Sequence, residues 1–257
     1  MSEYFSAEER QNNIVNLLAR QGRLSVSEIV EQFKISEATA RRDLETLAEQ
    51  GKLYRVHGGA LPMKQAPPEL PILQREQEQF FEKQSIGQAA AALVADGETI
   101  FLGSGTTILE VARNLRSRQN LTVITNSLPV LNTLSGLPGI NLIALGGILR
   151  PSELSFIGHI TEQALAEVRA DKVIIGVHAI SLENGLTNDY LPETMTDRAI
   201  LNAGREVIVA ADYSKLNAVA TAFLAPITSI DSLVTDPNAP QDFLDALKAA
   251  GIQVILA

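Results

Sequence analysis

Residues 35–60 read ISEATARRDLETLAEQGKLYRVHGGA, and the way this stretch folds decides the architecture of the amino-terminal part of the chain. Ser36 is placed to cap a helix, and Ala40, Leu44 and Leu47 recur at the three- and four-residue spacing of one buried face. That leaves Ser36, Glu37, Thr39, Arg41 and Arg42 off the core face, on a polar and partly basic leading edge. Gly51 is expected to end the helix. LYRVH followed by Gly58-Gly59 then reads as a short hairpin presenting Tyr54, Arg55, His57 and Gly58.

Upstream, Ser25 with Glu28 and Ser6 with Glu9 have the spacing of capping boxes. The first opens a helix striped by Val26, Ile29, Val30 and Phe33, and the second a helix carrying Ile14, Leu17 and Leu18 on one face. Two short helices around a tight break at 34–36 match a helix-turn-helix over 24–43, with a wing over 52–60, and that arrangement sends its second helix into the major groove of double-stranded DNA. The plainer alternative is a three-helix bundle in which Arg41 and Arg42 are merely solvated and Arg41 bonds Glu45 four residues on. Charge counts mildly against DNA binding: residues 1–60 hold 8 Lys/Arg against 9 Asp/Glu, and the whole chain carries −9 with a pI near 4.9. Any basic surface must come from local placement.

Prolines 62, 67, 68 and 71 mark 62–82 as a linker between a first domain, 1–61, and a second, 83–257. In the second, ETIFL, LTVITN, INLIALGG, KVIIGVHAI, EVIVAAD, SLVTD and QVILA are strand candidates alternating with helical patterns. The expected fold is α/β, a mostly parallel sheet covered by helices, behind a winged helix. Its most informative loop is FLGSGTT, 101–107, a buried strand running through glycines into the hydroxyl-rich start of a helix that turns Ile108, Val111, Ala112 and Leu115 inward. Ser104, Gly105, Thr106 and Thr107 suit an anion at the helix start, although a capped turn has the same composition. Other strand ends add Thr125, Asn126, Gly147, Arg150 and Lys215 at the same edge, where ligands of open α/β sheets collect.

Residues 23–60, with RRDL at 41–44 and HGGA at 57–60, resemble the DNA-binding domain of the DeoR family of bacterial sugar-catabolism regulators. The resemblance continues through SGTT (104–107), TNS (125–127), the Gly146-Gly147 pair with Arg150, GLT (185–187) and DYSK (212–215). It implies a regulator, most simply a repressor, whose winged helix binds operator DNA and whose second domain, similar in fold to ribose-5-phosphate isomerase, senses a phosphorylated sugar. One winged helix reads too few base pairs for a specific site, so a homodimer or homotetramer assembled through the larger domain is expected. Three positions depart from the family pattern: Ala40 stands where a larger aliphatic residue is usual, Gly103 where an acidic residue is usual, and Asp197 where a lysine is usual. Two competing readings follow, a sugar-phosphate isomerase-like enzyme with an accessory DNA module, and an orphan regulator whose pocket has changed.

Cysteine is absent, which removes disulfides and thiolate metal sites. His57, His159 and His178 are scattered, so no metal site is expected, nor any cofactor or catalytic residue. Asp189 and Glu193 read as a loop acid and a helix-start glutamate in preference to a proton-transfer pair. The polar amino terminus and the lack of a long apolar run predict a cytoplasmic protein without a membrane partner.

Overall fold

The computed structural model describes residues 6–21, 23–49, 52–56, 58–62, 64–65 and 70–257. The chain divides into two compact units, Met1–Gln65 and Ala66–Ala257.

In the first unit, α1 (Ala7–Gln21), α2 (Val26–Phe33) and α3 (Glu37–Glu49) enclose a core of Ile14, Leu18, Ile29, Ala40, Leu44 and Leu47, all fully buried. Both capping boxes form. The Ser25 hydroxyl accepts from the Glu28 amide while Glu28 accepts from the Ser25 amide, and Ser6 and Glu9 do the same. Lys34 takes a left-handed conformation, φ 53°, at the end of α2, which turns the chain sharply into α3. The wing is antiparallel: β2 (Leu53–Val56) pairs with β3 (Gly59–Pro62), and β3 with β1 (Leu24–Ser25). A Cβ on Gly59 would lie 2.2 Å from the Leu24 carbonyl oxygen, so only glycine lets the wing close onto β1. A two-residue strand, β4 (Lys64–Gln65), ends the unit.

The stretch expected to be a linker carries more structure than its prolines suggest. Pro62 lies inside β3, opposite Leu53, at the strand's last position, where a missing N–H is tolerated. Pro71 precedes the short helix α4 (Ile72–Arg75), where the ring's fixed φ suits a helix start. A longer helix, α5 (Phe80–Ala92), begins before residue 83.

All seven strand candidates of the second unit form one sheet. In spatial order it is β17 (Gln253–Leu256), β16 (Ser232–Thr235), β13 (Gly204–Ala210), β10 (Ala170–Ile175), β5 (Thr99–Leu102), β6 (Leu121–Thr125) and β7 (Ile140–Ala144), and every pairing is parallel. Helices α5, α6 (Thr106–Asn114), α7 (Leu128–Leu134), α8 (His159–Ala166), α9 (Leu191–Leu201) and α10 (Gln241–Ala249) accompany it. Two apolar clusters result, one around Phe101, Val173, Val209 and Phe243, the other around Ile100, Leu102, Ile108 and Val123. They use alternate residues of the same strands, as expected of a sheet buried on both faces. The chain winds outward in opposite directions from β5 and from β10, so the switch point lies between these neighbours.

Smaller strands decorate this edge. A hairpin joins β8 (Ile148–Arg150) to β9 (Ser155–Ile157), and an antiparallel sheet joins β11 (Ala179–Ser181), β12 (Gly185–Asn188) and β15 (Ala222–Ala225), with β14 (Ala218–Val219) nearby in sequence.

Candidate functional site

The first unit carries the candidate nucleic-acid interface. Ser36 caps α3, its hydroxyl accepting from the Thr39 amide at 3.2 Å and sitting 2.8 Å from the Thr39 hydroxyl. Glu37, Arg41 and Arg42 are exposed along the same helix. Arg41 does not pair with Glu45. It donates to Glu37 through Nε at 3.0 Å and Nη2 at 2.5 Å, because glutamate four residues before a cation, near the positive helix end, is the better-oriented pair. Glu45 instead faces Arg55 of the wing at 3.9 Å. Arg42 has no partner among the described residues. Gly58 occupies the wing turn with φ 82°. Tyr54 lies in β2 opposite Leu61, and His57 lies outside the described residues.

One buried linkage fixes α3 to α1, and sequence reasoning missed it. Asp43 accepts from Arg10 Nε at 2.6 Å and Nη2 at 3.1 Å, and from Gln11 Nε2 at 3.0 Å. Both charges are almost withdrawn from solvent, with side chains 14% and 5% exposed.

In the second unit a polar cleft opens at the carboxyl ends of β5, β10 and β13, at the switch point. Its floor is the loop of 103–107. Gly105 adopts φ 107° and ψ 158°, a conformation essentially reserved for glycine, and no side chain caps the first turn of α6. Thr106 and Thr107 are buried there, and Ser104 and Gly105 line the same wall. Lys215 approaches from the loop after β13 and Lys83 from α5. Lys83 is 5% exposed and donates to the Arg75 carbonyl oxygen at 2.7 Å. Burial lowers its ammonium pKa; Asp212 opposes this, and the positive Lys215 and Arg75 add to it. Lys215 makes no ion pair among the described residues. Three basic side chains therefore share the cleft with the positive end of a helix, which is the electrostatic form of an anion site.

Carboxylates line the same cleft. Glu193 of α9 is buried, ion-paired with Arg150 and accepting from the Ser155 hydroxyl at 2.9 Å. Arg150 also stacks over the Tyr190 ring at 4.6 Å. Glu153 pairs with Arg75, and His178 Nε2 lies 3.0 Å from Asp189 Oδ2. Asp197 is half-buried and accepts from Asn188 Nδ2 at 2.6 Å. Burial, then the charges of Glu193 and Glu153, push its carboxyl well above the ordinary aspartate range, against the opposing effect of Arg150 and Asn188.

Of the strand-end residues expected to converge, Ser104, Gly105, Thr106, Thr107 and Lys215 line the cleft, and Arg150 reaches it through Glu193. Thr125, Asn126 and Gly147 do not. Thr125 Oγ1 accepts from the Ser127 amide and Asn126 donates to the Phe156 carbonyl. A Cβ on Gly147 would lie 2.1 Å from Thr161 Oγ1, so that glycine serves close packing against α8. Their strands run on the far side of β5, away from the switch point. Sequence reasoning missed Arg75, Lys83, Glu153, Asn188 and His178. It also undervalued Asp189 and Glu193, which line the cleft instead of standing free in solvent.

A winged helix joined to such a cleft can be set beside known proteins. Residues 10–66 match the DeoR-like helix-turn-helix domain and residues 78–237 the DeoR C terminal sensor domain. The chain belongs to the DeoR family. It is 36% identical over 232 residues to the transcriptional repressor AccR of Agrobacterium fabrum, covering 90% of each chain. It is 34% identical over 248 residues to the glycerol-3-phosphate regulon repressor of Escherichia coli K12, covering 96% of this chain and 98% of that one. Among solved structures, ribose 5-phosphate isomerase A of Methanocaldococcus jannaschii aligns with 52% of this chain and 53% of its own at 21% identity and a TM-score of 0.39. Both family matches describe a DNA-binding regulator and not an isomerase-like enzyme. As a DeoR-family regulator the protein has the architecture expected of it, α/β with an amino-terminal winged helix, and none of its described helices is long and apolar enough to cross a membrane.

Proposed function

We propose that this DeoR-family regulator is a cytoplasmic repressor of a carbohydrate-catabolism operon, and that a phosphorylated sugar or sugar derivative releases it from its operator. The observation that carries this reading is the basic lining of the cleft: buried Lys83 and unpaired Lys215 share it with the uncapped first turn of α6. A phosphate there accepts from backbone amides and from the hydroxyls of Ser104, Thr106 and Thr107, and relieves the mutual repulsion of the ammonium groups. Ser36, Glu37, Thr39, Arg41 and Arg42 of α3 face the major groove in this reading, and Tyr54, Arg55, His57 and Gly58 of the wing meet the backbone.

One winged helix reads few base pairs, so the protein acts as a homodimer or homotetramer on paired half-sites spaced by whole helical turns. The test uses an operator obtained by in vitro selection with the protein itself. Titration of the complex with a panel of sugar phosphates weakens operator binding for at least one member. If none of the panel binds, the cleft is not a sugar-phosphate sensor and the protein is an orphan regulator.

A further inference from the structure

The cleft holds carboxylates as well as cations, and one of these carboxylates specifies more than a sugar. Six carboxylates line it, those of Glu78, Glu153, Asp189, Glu193, Asp197 and Asp212, against three basic side chains, Arg75, Lys83 and Lys215. Among these carboxylates, Glu153 is held by Arg75, Glu193 by Arg150, and Asp189 faces His178. Asp197 has no cation of its own among the described residues; its single hydrogen bond comes from the neutral amide of Asn188 to Oδ2, which leaves Oδ1 open to the cleft. A second acceptor is also unmet. Asp212 is 1% exposed and gives Oδ1 to the Ser214 amide and hydroxyl, while Oδ2 has no hydrogen-bond partner among the described residues. Asp212 lies beside Lys83, so the acceptor left for the part of the ligand remote from its phosphate is Asp197.

From this geometry we propose that the effector is a phosphorylated sugar carrying a primary amine, its phosphate at the Gly105 loop with Lys83 and Lys215 and its ammonium group on Asp197. The proposal rests on the sensor reading above and names the ligand class within it. An ammonium at Oδ1 supplies the opposite charge that Asp197 lacks between Glu193 and Glu153, whereas a hydroxyl in the same place supplies only a dipole. A dianionic phosphate alone adds negative charge to a cleft already rich in carboxylates. The amine on Asp197 offsets it.

The experiment compares matched pairs differing at one substituent: glucosamine 6-phosphate with glucose 6-phosphate, galactosamine 6-phosphate with galactose 6-phosphate, and mannosamine 6-phosphate with mannose 6-phosphate. N-acetylglucosamine 6-phosphate is the uncharged-nitrogen control. Binding to the full-length protein is read by calorimetry at pH 7. In any pair where either member binds, the amine binds about tenfold or more tightly than its hydroxyl counterpart, a difference of about 1.4 kcal/mol. Asp197→Asn reduces that ratio to within about threefold by weakening the amine and not the hydroxyl ligand. Hydroxyl sugar phosphates that bind the wild type as well as or better than the amines would overturn the amine assignment and leave the sensor reading standing. Absence of binding by every member would overturn both.

Discussion

Replacing Asp43 with alanine removes the acceptor that holds Arg10 and Gln11 of α1 to the recognition helix. The three hydrogen bonds are 2.6, 3.1 and 3.0 Å long, and the arginine side chain is only 14% exposed, so water cannot fully replace the lost carboxylate. Breaking a buried ion pair from one side costs roughly 3–5 kcal/mol, and residual exposure of Arg10 places this case near the lower figure. A unit of about 60 residues has a total stability of roughly 3–9 kcal/mol, so the loss consumes a large share of it. Because the chain has two compact units, global melting mixes two transitions, whereas amide hydrogen exchange along α3 reports this unit alone. Asp43→Ala is expected to reduce protection of the Leu44 and Leu47 amides by about two orders of magnitude, with operator affinity falling in parallel. The double variant Arg10→Met with Asp43→Leu recovers most of the protection, since an apolar pair of similar volume has no charge left to solvate. Protection unchanged within about threefold in Asp43→Ala, or a double variant no better than the single one, would refute the assigned role.

Asp197→Asn stabilises the ligand-free protein, and the gain grows as pH rises. Its folded carboxyl titrates above the ordinary aspartate value of 3.8, so the native state holds the proton more tightly than the unfolded chain and loses stability as pH climbs from that value to the raised one. Thermal melting of both proteins from pH 4 to pH 8 checks this; a pH-independent difference contradicts it. Arg42→Ala costs about 1–3 kcal/mol of operator binding where the contact is to a base, and Arg41→Ala costs less because Arg41 must give up its bonds to Glu37 to meet DNA. Fluorescence anisotropy with the selected operator measures both, and unchanged affinity in both variants removes this docking of α3. Lys215→Met weakens any sugar-phosphate ligand about tenfold or more while leaving ligand-free operator affinity unaltered, measured by the same titrations. A ligand affinity indifferent to Lys215→Met would move the phosphate away from the Gly105 loop.

Local signals were legible because local physics determined the outcome. Ser6–Glu9 and Ser25–Glu28 satisfy helix amides within three residues, and Ala40, Leu44 and Leu47 bury by periodicity alone. The seven sheet strands are short apolar runs, the inner five of them largely buried, so each stood out in the sequence. The hairpin of β8 and β9 and the small sheet of β11, β12 and β15 did not, since strands of three or four residues carry no readable alternation. Helix α5 was hidden by the prolines before it and by the alanine-rich run FFEKQSIGQAAAA, which has no distinct apolar stripe. The site was half legible for a topological reason. Sequence shows which residues end strands but not which strands flank the switch point, so Thr125, Asn126 and Gly147 were grouped with Lys215. Arg75, Lys83, Glu153 and Asp197 come from separate segments and meet only when the sheet has assembled.

The central claim is that the loop of residues 103–107 serves a signal read out as operator binding, and Gly105→Val tests it most directly. A valine Cβ there would have 3.7 Å to Glu153 Oε1, so the substitution acts through the backbone: φ 107° costs a branched residue about 1–3 kcal/mol, and the loop must shift off its anion-binding geometry. Operator affinity is measured with and without the best sugar phosphate of the panel, in wild type and in Gly105→Val. In the wild type the ligand weakens operator binding, and a 100-fold effect corresponds to about 2.7 kcal/mol of differential affinity between the DNA-free and DNA-bound states. Gly105→Val keeps the ligand-free operator affinity and loses the response. A variant that responds to the ligand as the wild type does would contradict the account, because the loop would then be only a turn.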